Sequence, residues 1–466
     1  MSPFQSDAFV FFGATGDLAY KQIFPALQAM MRDGHLDMPV IGLGKEAWSI
    51  DQFIARARQS IESHATLDEP VFKKLAARLQ YIGGDYQDDA TYRQLRTALG
   101  DAAHPLHYLA VPPELFEAVA TGLSRSGCAK NARLVVEKPF GRDLPSAQAL
   151  NRLLARHFPP SDIFRIDHFL GKEAVQNLLY FRLANTFLGA VWHRDYVASV
   201  QINMAEAFGV AGRGGFYETV GAIRDVVQNH LLQVVSLLAM EPPAGNHPDA
   251  LREAKLRVFE AMQPISPAHA VRGQFHGYRN EPGVAAESQV ETFVALRLCI
   301  DNERWRGVPF YIRAGKQLPV SATEVVVTLK TPTPAVFDTA APGKANYLRY
   351  RIDPDVLIAI GTRTKIPGEA MAGEISEIVA HRHPGDEMLP YERLLGDALR
   401  GDATLFAHYD SIEAAWRAVT PILGNAVPVQ LYDPQTWGPA KADEIVAGTG
   451  GWHNPISPEE NDGGAR

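Results

Sequence analysis

The sequence predicts a chain of two parts: a doubly wound α/β domain with a parallel sheet over residues 1–164, and a β+α domain with a large, mainly antiparallel sheet over residues 165–466. The length of 466 residues exceeds what one ordinary hydrophobic core accommodates. In the first part, short apolar segments alternate with helix-like segments, which indicates parallel strands joined by right-handed crossovers. After Pro159 and Pro160, strand-like segments follow one another with few helices between them, a pattern typical of an antiparallel sheet.

The first part begins with a buried strand and a helix. Residues 8–12 are uniformly apolar and are followed by a glycine, as expected for a strand that is covered on both faces. The next segment predicts a helix from Asp17 to Gly34, which Pro25 is expected to bend. Further strands of the parallel sheet are predicted at residues 39–44, 106–111 and 133–137.

The second part is predicted to contain a helix from Glu173 to about Thr186 and a longer helix from about Thr219 to Met240. The clearest strand covers residues 290–300, where apolar residues recur at every second position. The other predicted strands cover residues 200–204, 310–313, 325–329 and 356–360. The polar residues 458–466 are expected to form a frayed terminus.

Composition and charge exclude several classes of protein. With 46% hydrophobic residues, 21% charged residues and a net charge of −8, the chain is typical of a globular protein whose main partner is neither nucleic acid nor a membrane surface. Cys128 and Cys299 cannot build a disulfide framework, and no Cys/His spacing indicates a zinc site. The apolar stretch 8–12 is too short for a signal peptide. We therefore expect a cytoplasmic protein without a bound metal.

The segment from Gly13 to Ala19 is a candidate nucleotide-binding loop. It connects the first strand to the first helix, where glycines allow the backbone to approach a pyrophosphate and the helix N-terminus offers free N–H groups. A tight turn without a ligand is the alternative, because the segment lacks the full G-x-G-x-x-G pattern. At the end of the second strand a basic residue indicates NADP and an acidic residue indicates NAD, so Lys45 and Glu46 leave that choice open.

Two further segments carry candidate substrate-binding groups. Lys138 follows an apolar strand and precedes a proline, so its ammonium group is expected at the carboxyl end of the parallel sheet. A helical conformation from His168 onward would place His168 and Lys172 on one face, with room for a phosphate monoester between them. Asp167, next to His168, could hold an imidazole from elsewhere in the fold in one orientation. The alternatives are a surface lysine and a solvated run of mixed charge.

His230 is the candidate general base. It lies within the apolar stripe of the predicted helix 219–240, and hydride transfer from an alcohol requires a group that takes the hydroxyl proton. A structural core histidine is the alternative. On an ideal α-helix Asp225 points roughly 140° away from His230, so the two share a ligand only if the start of the helix is irregular.

Together these segments resemble the glucose-6-phosphate dehydrogenase family over nearly the whole chain. The resemblance is carried, in order, by the loop Gly13 to Ala19 and by Tyr108 to Pro113, Glu137 to Gly141, Arg165 to Glu173, Gly212 to Gly215, Ile223 to His230 and Arg313 to Lys316. It implies a Rossmann domain beside a β+α domain whose sheet mediates dimerisation, in a homodimer or homotetramer. It also implies oxidation of D-glucose 6-phosphate at C1 to 6-phospho-D-glucono-1,5-lactone with hydride transfer to NADP, or to NAD, as the first step of the pentose phosphate pathway.

The resemblance also assigns roles to residues. His230 would be the general base, and Asp167 would orient it and stabilise its protonated form. His168 and Lys172 would bind the phosphate, and the sugar would contact Lys138, Glu206, Asp225 and Lys316. Lys138 would also lie near the nicotinamide, and Pro139 would follow a cis peptide bond. The cofactor would be held by Gly13, Thr15, Gly16, Asp17, Leu18, Lys45, Ala110, Pro112 and Lys138, with Lys45 at the 2′-phosphate.

Several positions depart from the family pattern. Phe169 replaces a tyrosine that supplies a hydroxyl to the phosphate, and loss of such a bond costs about 1.5–3 kcal/mol. Val320 and Ser321 stand where a second basic residue follows Lys316. Gln22 replaces a common lysine, and Lys45 replaces an arginine and its bidentate fork. We expect an intact catalytic pair with weaker binding of both phosphate groups.

Two other functions stay open on the sequence. One is an NAD(P)-dependent dehydrogenase of another phosphorylated or free sugar, which the substitution at Phe169 suggests. The other is a non-catalytic nucleotide-binding regulator, against which the presence of both Asp167 and His230 argues.

Overall fold

The structure of the protein, a computed structural model, describes residues 5–245, 247, 249–331, 345–368, 371–382 and 387–456, and the expected frayed terminus 458–466 lies outside them. The chain forms two compact units. Unit 1 comprises Met1–Glu173, Gly245–Arg252 and Met388–Glu413, and unit 2 comprises Ala174–Ala244, Glu253–Glu387 and Ala414–Arg466.

Unit 1 is built on a parallel sheet of six strands: β1 (Ala8–Phe12), β2 (Val40–Gly44), β3 (Leu79–Gly83), β4 (Pro105–Leu109), β5 (Arg133–Glu137) and β6 (Ile163–Ile166). Their order is β3-β2-β1-β4-β5-β6, and every pair is parallel. This is the strand order of a doubly wound nucleotide-binding sheet, in which ligands bind where the order reverses, between β1 and β4. The predicted parallel sheet is confirmed.

Unit 2 is built on a sheet of nine strands: β7 (Val197–Glu206), β8 (Ala270–Phe275), β9 (Phe293–Cys299), β10 (Pro309–Lys316), β11 (Ala322–Leu329), β12 (Tyr347–Asp353), β13 (Val356–Lys365), β14 (Gly373–Arg382) and β15 (Val429–Tyr432). Their order is β14-β13-β12-β11-β7-β10-β9-β8-β15. The pairs β7–β10 and β8–β15 are parallel, and the other pairs are antiparallel. The predicted large, mainly antiparallel sheet is therefore confirmed.

The α-helices of the described residues are α1 (Phe24–Arg32), α2 (Ile50–His64), α3 (Glu69–Ala76), α4 (Asp89–Leu99), α5 (Phe116–Arg125), α6 (Leu144–Ala155), α7 (Glu173–Ala184), α8 (Thr186–Val191), α9 (Gly214–Ala222), α10 (Leu232–Ala239), α11 (Ala250–Ala261), α12 (Pro390–Arg400) and α13 (Tyr409–Val419). Helices α2, α3, α4 and α6 begin at side-chain caps, where Ser49, Asp68, Asp88 and Asp143 accept backbone N–H groups of the first turn. Among the described residues, no helix combines the length and apolar character that a membrane crossing requires.

The first helix covers most of the range predicted between Asp17 and Gly34, since residues 17–32 are helical. Its hydrogen-bond pattern differs from that of a single α-helix. A π-helix covers Ala19–Ile23, and α1 follows with Pro25 in its first turn. Pro25 has no N–H group to donate, and the change from π-helical to α-helical hydrogen bonding falls in the turn that contains it.

The core of unit 1 combines distant parts of the chain. Helix α12 contributes Tyr391, Leu394, Leu395, Ala398 and Leu399 to the same apolar cluster as β1 and α1. Arg133, in β5, donates to the Leu399 carbonyl oxygen at 2.8 Å, which ties the end of α12 to the sheet. A segment more than 200 positions further along the chain than β5 thus completes the nucleotide-binding fold.

Candidate functional site

The loop after β1 has the backbone geometry of a nucleotide cradle. Gly13 has φ +82°, and a Cβ atom there would lie 2.2 Å from the Ala110 carbonyl oxygen. The Gly13 N–H group lies 3.0 Å from the Leu43 carbonyl oxygen, and Gly16 N–H donates to the Gly13 carbonyl oxygen at 3.0 Å. Only glycine fits this crossing between β1 and β4, because any side chain would collide with the β4 exit. The loop fits a pyrophosphate, which needs a close approach to the backbone.

The other expected cofactor residues of unit 1 lie around this crossing or beside it. Thr15 and Leu18 are half-buried, while Gly16 and Asp17 are exposed. Ala110 directly follows β4, where its N–H group donates to the Phe12 carbonyl oxygen at 3.1 Å, and Pro112 is exposed two residues later. The N–H groups of this helix start belong to a π-helix, so their spacing differs from that of an α-helix.

Lys45 and Glu46 have different surroundings. The Thr15 hydroxyl donates to the Glu46 carboxylate, and the Tyr81 hydroxyl donates to the Glu46 carbonyl oxygen at 2.7 Å. Lys45 is exposed to solvent. The acidic member of the pair is therefore attached to the nucleotide loop, and the basic member is available to an anion.

Lys138 lies immediately after β5, at the carboxyl end of the parallel sheet, and a cis peptide bond joins it to Pro139. The residue before it, Glu137, is buried, and its carboxylate accepts a 2.7 Å hydrogen bond from the Tyr108 hydroxyl. Burial raises the pKa of Glu137 to about 7, against the opposing effects of the Tyr108 and Tyr391 hydroxyls and of Lys138. Sequence reasoning missed Glu137.

The segment from Arg165 to Glu173 is not a solvated run of charge. Arg165 is 1% exposed and Asp167 is 2% exposed. Arg165 donates to the Asn151 side-chain oxygen at 2.9 Å, and the Asp167 carboxylate accepts the Phe169 N–H group at 3.1 Å. Burying two charges is costly, so these residues have a structural or chemical role.

The helical premise for His168 and Lys172 is wrong. Asp167 caps a single 3-10 turn, His168–Gly171, and Lys172 has an extended backbone with φ −69° and ψ 129° before α7 begins. The two side chains therefore do not occupy stacked positions of one helix. The Lys172 ammonium group instead lies 4.8 Å from the centre of the Phe169 ring, which is 4% exposed. Phe169 thus supports Lys172 through a cation–π contact.

In unit 2, His230 does not belong to one long α-helix. Helix α9 ends at a kink, where Gly221 has φ +67°, and a π-helix follows over Ile223–Leu231 before α10. In a π-helix the hydrogen bonds join residues five apart, so Asp225 and His230 occupy stacked positions on one face. The irregular start that a shared ligand requires is present. His230 is 3% exposed, and Asp225 is half-buried.

Glu291 fixes the start of this π-helix. Its carboxylate accepts the Ile223 N–H group at 3.1 Å, and Arg272 donates two hydrogen bonds to it, at 3.0 and 2.7 Å. A Cβ atom on Gly221 would lie 2.6 Å from the same carboxylate. Sequence reasoning missed Glu291, and the available signal was an acidic residue within the most regular strand pattern of the chain.

Glu206 and Lys316 meet at the ends of β7 and β10. The two strands run parallel with these residues in register, and the Lys316 ammonium group lies 2.6 Å from the Glu206 carboxylate. The rings of Phe208 and Tyr217 flank the ammonium group at 5.1 and 5.2 Å. Burial, Asp225 and Glu206 raise the pKa of Tyr217, so its hydroxyl stays protonated. Tyr217 is therefore a further polar group of this cluster that the sequence did not reveal.

The position that lacks the second basic residue has a structural occupant. The Ser321 hydroxyl oxygen accepts the Ala207 N–H group at 3.0 Å, and Val320 packs against the core of unit 2. Neither side chain supplies a cation to a phosphate.

Comparison with known proteins connects these features. A family model described as "Glucose-6-phosphate dehydrogenase, NAD binding domain" matches residues 10–177. A second model, "Glucose-6-phosphate dehydrogenase, C-terminal domain", matches residues 179–453. The chain belongs to the glucose-6-phosphate dehydrogenase family. It is an oxidoreductase of that family with a nicotinamide nucleotide-binding domain.

Relatives and solved structures of the family match over nearly their full lengths. A Mycobacterium tuberculosis protein named glucose-6-phosphate 1-dehydrogenase 1 is 44% identical over 460 residues, which cover 98% of each chain. A glucose-6-phosphate 1-dehydrogenase of Aggregatibacter actinomycetemcomitans is 38% identical over 96% of this chain and 97% of its own. The crystal structure of glucose-6-phosphate 1-dehydrogenase from Mycobacterium avium superimposes with a TM-score of 0.91 at 43% identity, covering 97% and 99% of the two chains.

A second solved structure of the family contains its substrate. The structure titled "Glucose-6-phosphate dehydrogenase in complex with its substrate glucose-6-phosphate" superimposes with a TM-score of 0.89 at 33% identity, and it covers 97% of this chain and all of the other. The predicted family and fold are confirmed.

Proposed function

We propose that this chain oxidises D-glucose 6-phosphate at C1 to 6-phospho-D-glucono-1,5-lactone, the first step of the pentose phosphate pathway, with NADP as the preferred acceptor and NAD as a second one. The observation that carries the proposal is the match of both family models, which together span residues 10–177 and 179–453. The nicotinamide, when bound, accepts a hydride from C1.

His230 acts as the general base. As the C1–H bond breaks, one imidazole nitrogen takes the proton of the C1 hydroxyl, so that the C=O bond of the lactone forms. His230 is 3% exposed, so its imidazole is largely shielded from bulk water. We propose that the Asp167 carboxylate pairs with His230, fixes its orientation and stabilises the imidazolium that proton transfer creates. The stacked Asp225 then contacts the sugar beside the base.

Binding of the substrate is divided between two groups of residues. His168 and Lys172 bind the phosphate, with Lys172 supported by the Phe169 ring. Glu206, Lys316 and Lys138 contact the sugar hydroxyls, and the 2.6 Å ion pair holds Glu206 and Lys316 in place before the sugar arrives. Preorganised groups of this kind lower the cost of orienting the substrate.

The nucleotide lies on the loop from Gly13 to Leu18, beside Ala110, Pro112 and Lys138. Lys45 meets the 2′-phosphate of NADP. The engagement of Glu46 with Thr15 supports this assignment, because it directs the acidic side chain toward the loop while Lys45 stays exposed. A single lysine lacks the bidentate fork of arginine, which accounts for NAD as a second acceptor.

We further propose a cytoplasmic homodimer or homotetramer whose nine-stranded sheet carries the subunit contact. In this proposal residues 1–164, whose core α12 completes, form the dinucleotide-binding part, and the rest of residues 165–466 forms the part that binds substrate and partner subunit.

Steady-state kinetics with glucose 6-phosphate and with glucose test the substrate. We expect kcat/KM to be far higher for glucose 6-phosphate, since only this sugar carries the phosphate that His168 and Lys172 would bind. His230→Asn should lower kcat by roughly 10²- to 10⁴-fold, the usual contribution of a general base. The matched control is His276→Asn at an exposed histidine of unit 2, which should retain activity. Equal kcat/KM values for the two sugars would reject the phosphate-binding role.

The cofactor is tested with paired substitutions after β2. Lys45→Ala should lower kcat/KM for NADP about tenfold and leave that for NAD unchanged, since only NADP carries the 2′-phosphate. Glu46→Gln should shift preference further toward NADP, and Lys73→Ala, in α3, serves as a control. If Lys45→Ala lowers kcat/KM equally for NADP and for NAD, Lys45 does not bind the 2′-phosphate.

Phe169 supports a second candidate, a dehydrogenase of another phosphorylated sugar. The buried ring offers no hydroxyl to the phosphate, so the specificity of the site rests more heavily on the sugar. A comparison of kcat/KM among hexose and pentose phosphates distinguishes a glucose 6-phosphate dehydrogenase from a dehydrogenase of another phosphorylated sugar.

A further inference from the structure

A polar cavity lies within unit 2, apart from the residues assigned to catalysis. Its volume is about 400 Å³, and it is bordered by β8, β9, the segment before β15 and the short helix Ala440–Val446. The charged and titratable side chains at its wall are Arg297, His269, Lys441 and Glu444. Cavities of a few hundred Å³ are the size of small-ligand sites. None of the lining residues belongs to the proposed sugar, phosphate or nucleotide site.

Arg297 has no acidic partner among the described residues. Its guanidinium donates to the His269 ring at 2.6 Å, and its Nε atom is buried without an acceptor in the described part of the chain. The pKa of His269 is lowered, first by burial and then by Arg297, which agrees with a neutral ring that accepts this hydrogen bond. A guanidinium that is paired only with a neutral ring retains its full charge and unused donors.

Lys441 adds a second cation at the same wall. It forms no ion pair with a carboxylate within the described ranges, and it is exposed at the start of the short helix. Glu444 is the single acidic lining residue, so the cations Arg297 and Lys441 outnumber the acids by two to one. The excess of one positive charge favours binding of an anion at this wall.

Apolar side chains also line part of the cavity. Val271, Val427 and Ile445 line the same cavity, together with alanine and proline residues. A bare inorganic anion would leave these surfaces without contact. An anion attached to a small organic body would occupy both the charged wall and the apolar walls.

We propose that this cavity binds the phosphate monoester group of a small metabolite. Arg297 and Lys441 hold the phosphate, since a guanidinium fork and an ammonium group are the donors that phosphate oxygens prefer. The organic body lies against Val271, Val427 and Ile445. The proposal is independent of the proposed function, because it concerns binding at residues that the reaction does not use.

Isothermal titration of the full chain with ribose 5-phosphate, and separately with inorganic phosphate, tests the site. We expect wild type to bind ribose 5-phosphate more tightly than inorganic phosphate. Arg297→Gln should weaken binding of ribose 5-phosphate at least tenfold, and Lys441→Gln should weaken it several-fold. Any binding of these probes at His168 and Lys172 is common to all variants, so differences between variants report on the cavity.

Arg306→Gln is the matched control, because Arg306 lies in the same unit but pairs with Asp301 at 2.8 Å on the surface. It should bind both probes as wild type does. Circular dichroism and thermal melting verify that Arg297→Gln is folded. If it is not, titration of Lys441→Gln and Lys441→Glu, at an exposed position, tests the proposal instead. Isotherms of the Arg297 and Lys441 variants that match wild type would overturn the proposal, as would wild type that binds neither probe.

Discussion

The Tyr108 hydroxyl donates a 2.7 Å hydrogen bond to the Glu137 carboxylate at the carboxyl end of β5, one residue before Lys138. A buried carboxyl group therefore directly precedes, in the chain, the lysine that we assign to the sugar and the nicotinamide. Burial raises the pKa of Glu137 to about 7, although two phenol hydroxyls and Lys138 favour its ionised form. The cost of ionising this group appears in the dependence of stability on pH.

Glu137→Gln should change that dependence in a defined direction. The pKa of Glu137 is about 7 in the folded chain and 4.5 in its ordinary state, so between these values the folded state binds more protons than the unfolded state. The contribution of Glu137 to stability therefore decreases as pH rises from 4.5 to 7 and is constant above 7. At about 1.4 kcal/mol per pKa unit, the variant should gain roughly 3 kcal/mol relative to wild type over this window.

Urea unfolding at several pH values between 5 and 8 measures this difference. Glu117→Gln, at an exposed position of α5, is the control and should parallel wild type. A constant difference between Glu137→Gln and wild type across the range would show that Glu137 titrates at its ordinary pKa.

Gly221→Ala should disturb the π-helix that carries Asp225 and His230. Gly221 has φ +67°, and the added Cβ would lie 2.6 Å from the Glu291 carboxylate, which accepts the Ile223 N–H group. Positive φ alone costs a non-glycine residue about 1–2 kcal/mol, and the collision adds to it. We expect loss of stability beyond that value and a fall in kcat.

The matched control is Gly212→Ala. Gly212 has φ +73°, but an added Cβ there meets nothing within 4 Å. It should show the cost of positive φ without the loss of kcat, measured by denaturant unfolding and by steady-state kinetics. Equal effects of both substitutions would mean that contact with Glu291 does not set the position of His230.

Lys316→Gln should impair catalysis more than stability. The Lys316 ammonium group lies 2.6 Å from the Glu206 carboxylate, which is 28% exposed, so water solvates the carboxylate when the cation is removed. We expect kcat/KM for glucose 6-phosphate to fall at least tenfold, or about 1.4 kcal/mol. Kinetics and thermal melting check this, with Lys330→Gln as control. In a double-mutant cycle with Glu206→Gln, the losses of kcat/KM should be non-additive. Strict additivity would mean that Lys316 and Glu206 act on the sugar independently of each other.

Phe169→Tyr should tighten substrate binding. The added hydroxyl restores a donor for the phosphate, so KM for glucose 6-phosphate should fall about tenfold, which corresponds to the lower range of a hydrogen bond to a charged group. Phe169→Leu should instead raise KM a few-fold, because it removes the ring that lies 4.8 Å from the Lys172 ammonium group. The measurement is KM at saturating nucleotide. If KM is the same in all three proteins, residue 169 plays no part in phosphate binding.

Local sequence patterns identified the elements that are buried on all sides. β1 and β5 have the predicted bounds. Every residue of β1 is apolar and buried, and β5 has an apolar centre between the buried Arg133 and Glu137. β3 and β6 were not predicted. Only Leu79 and Ile82 of β3 are buried, and β6 interrupts its apolar run with the buried Arg165, so neither presents a continuous apolar pattern.

The alternation of strands and helices and the chemistry-bearing motifs were determined by the sequence itself, since glycine and charged residues at fixed positions specify the loop after β1 and the family. The tertiary structure decided which side chains of the candidate site share a face. Glu291, 68 residues from Ile223, caps the π-helix and gives Asp225 and His230 a common face that an α-helical period denies them. Lys172 has an extended backbone between the 3-10 turn and α7, and its ammonium group lies over the Phe169 ring. Sequence periodicity assumes one hydrogen-bond pattern per segment, whereas contacts between distant residues select the pattern that each segment adopts.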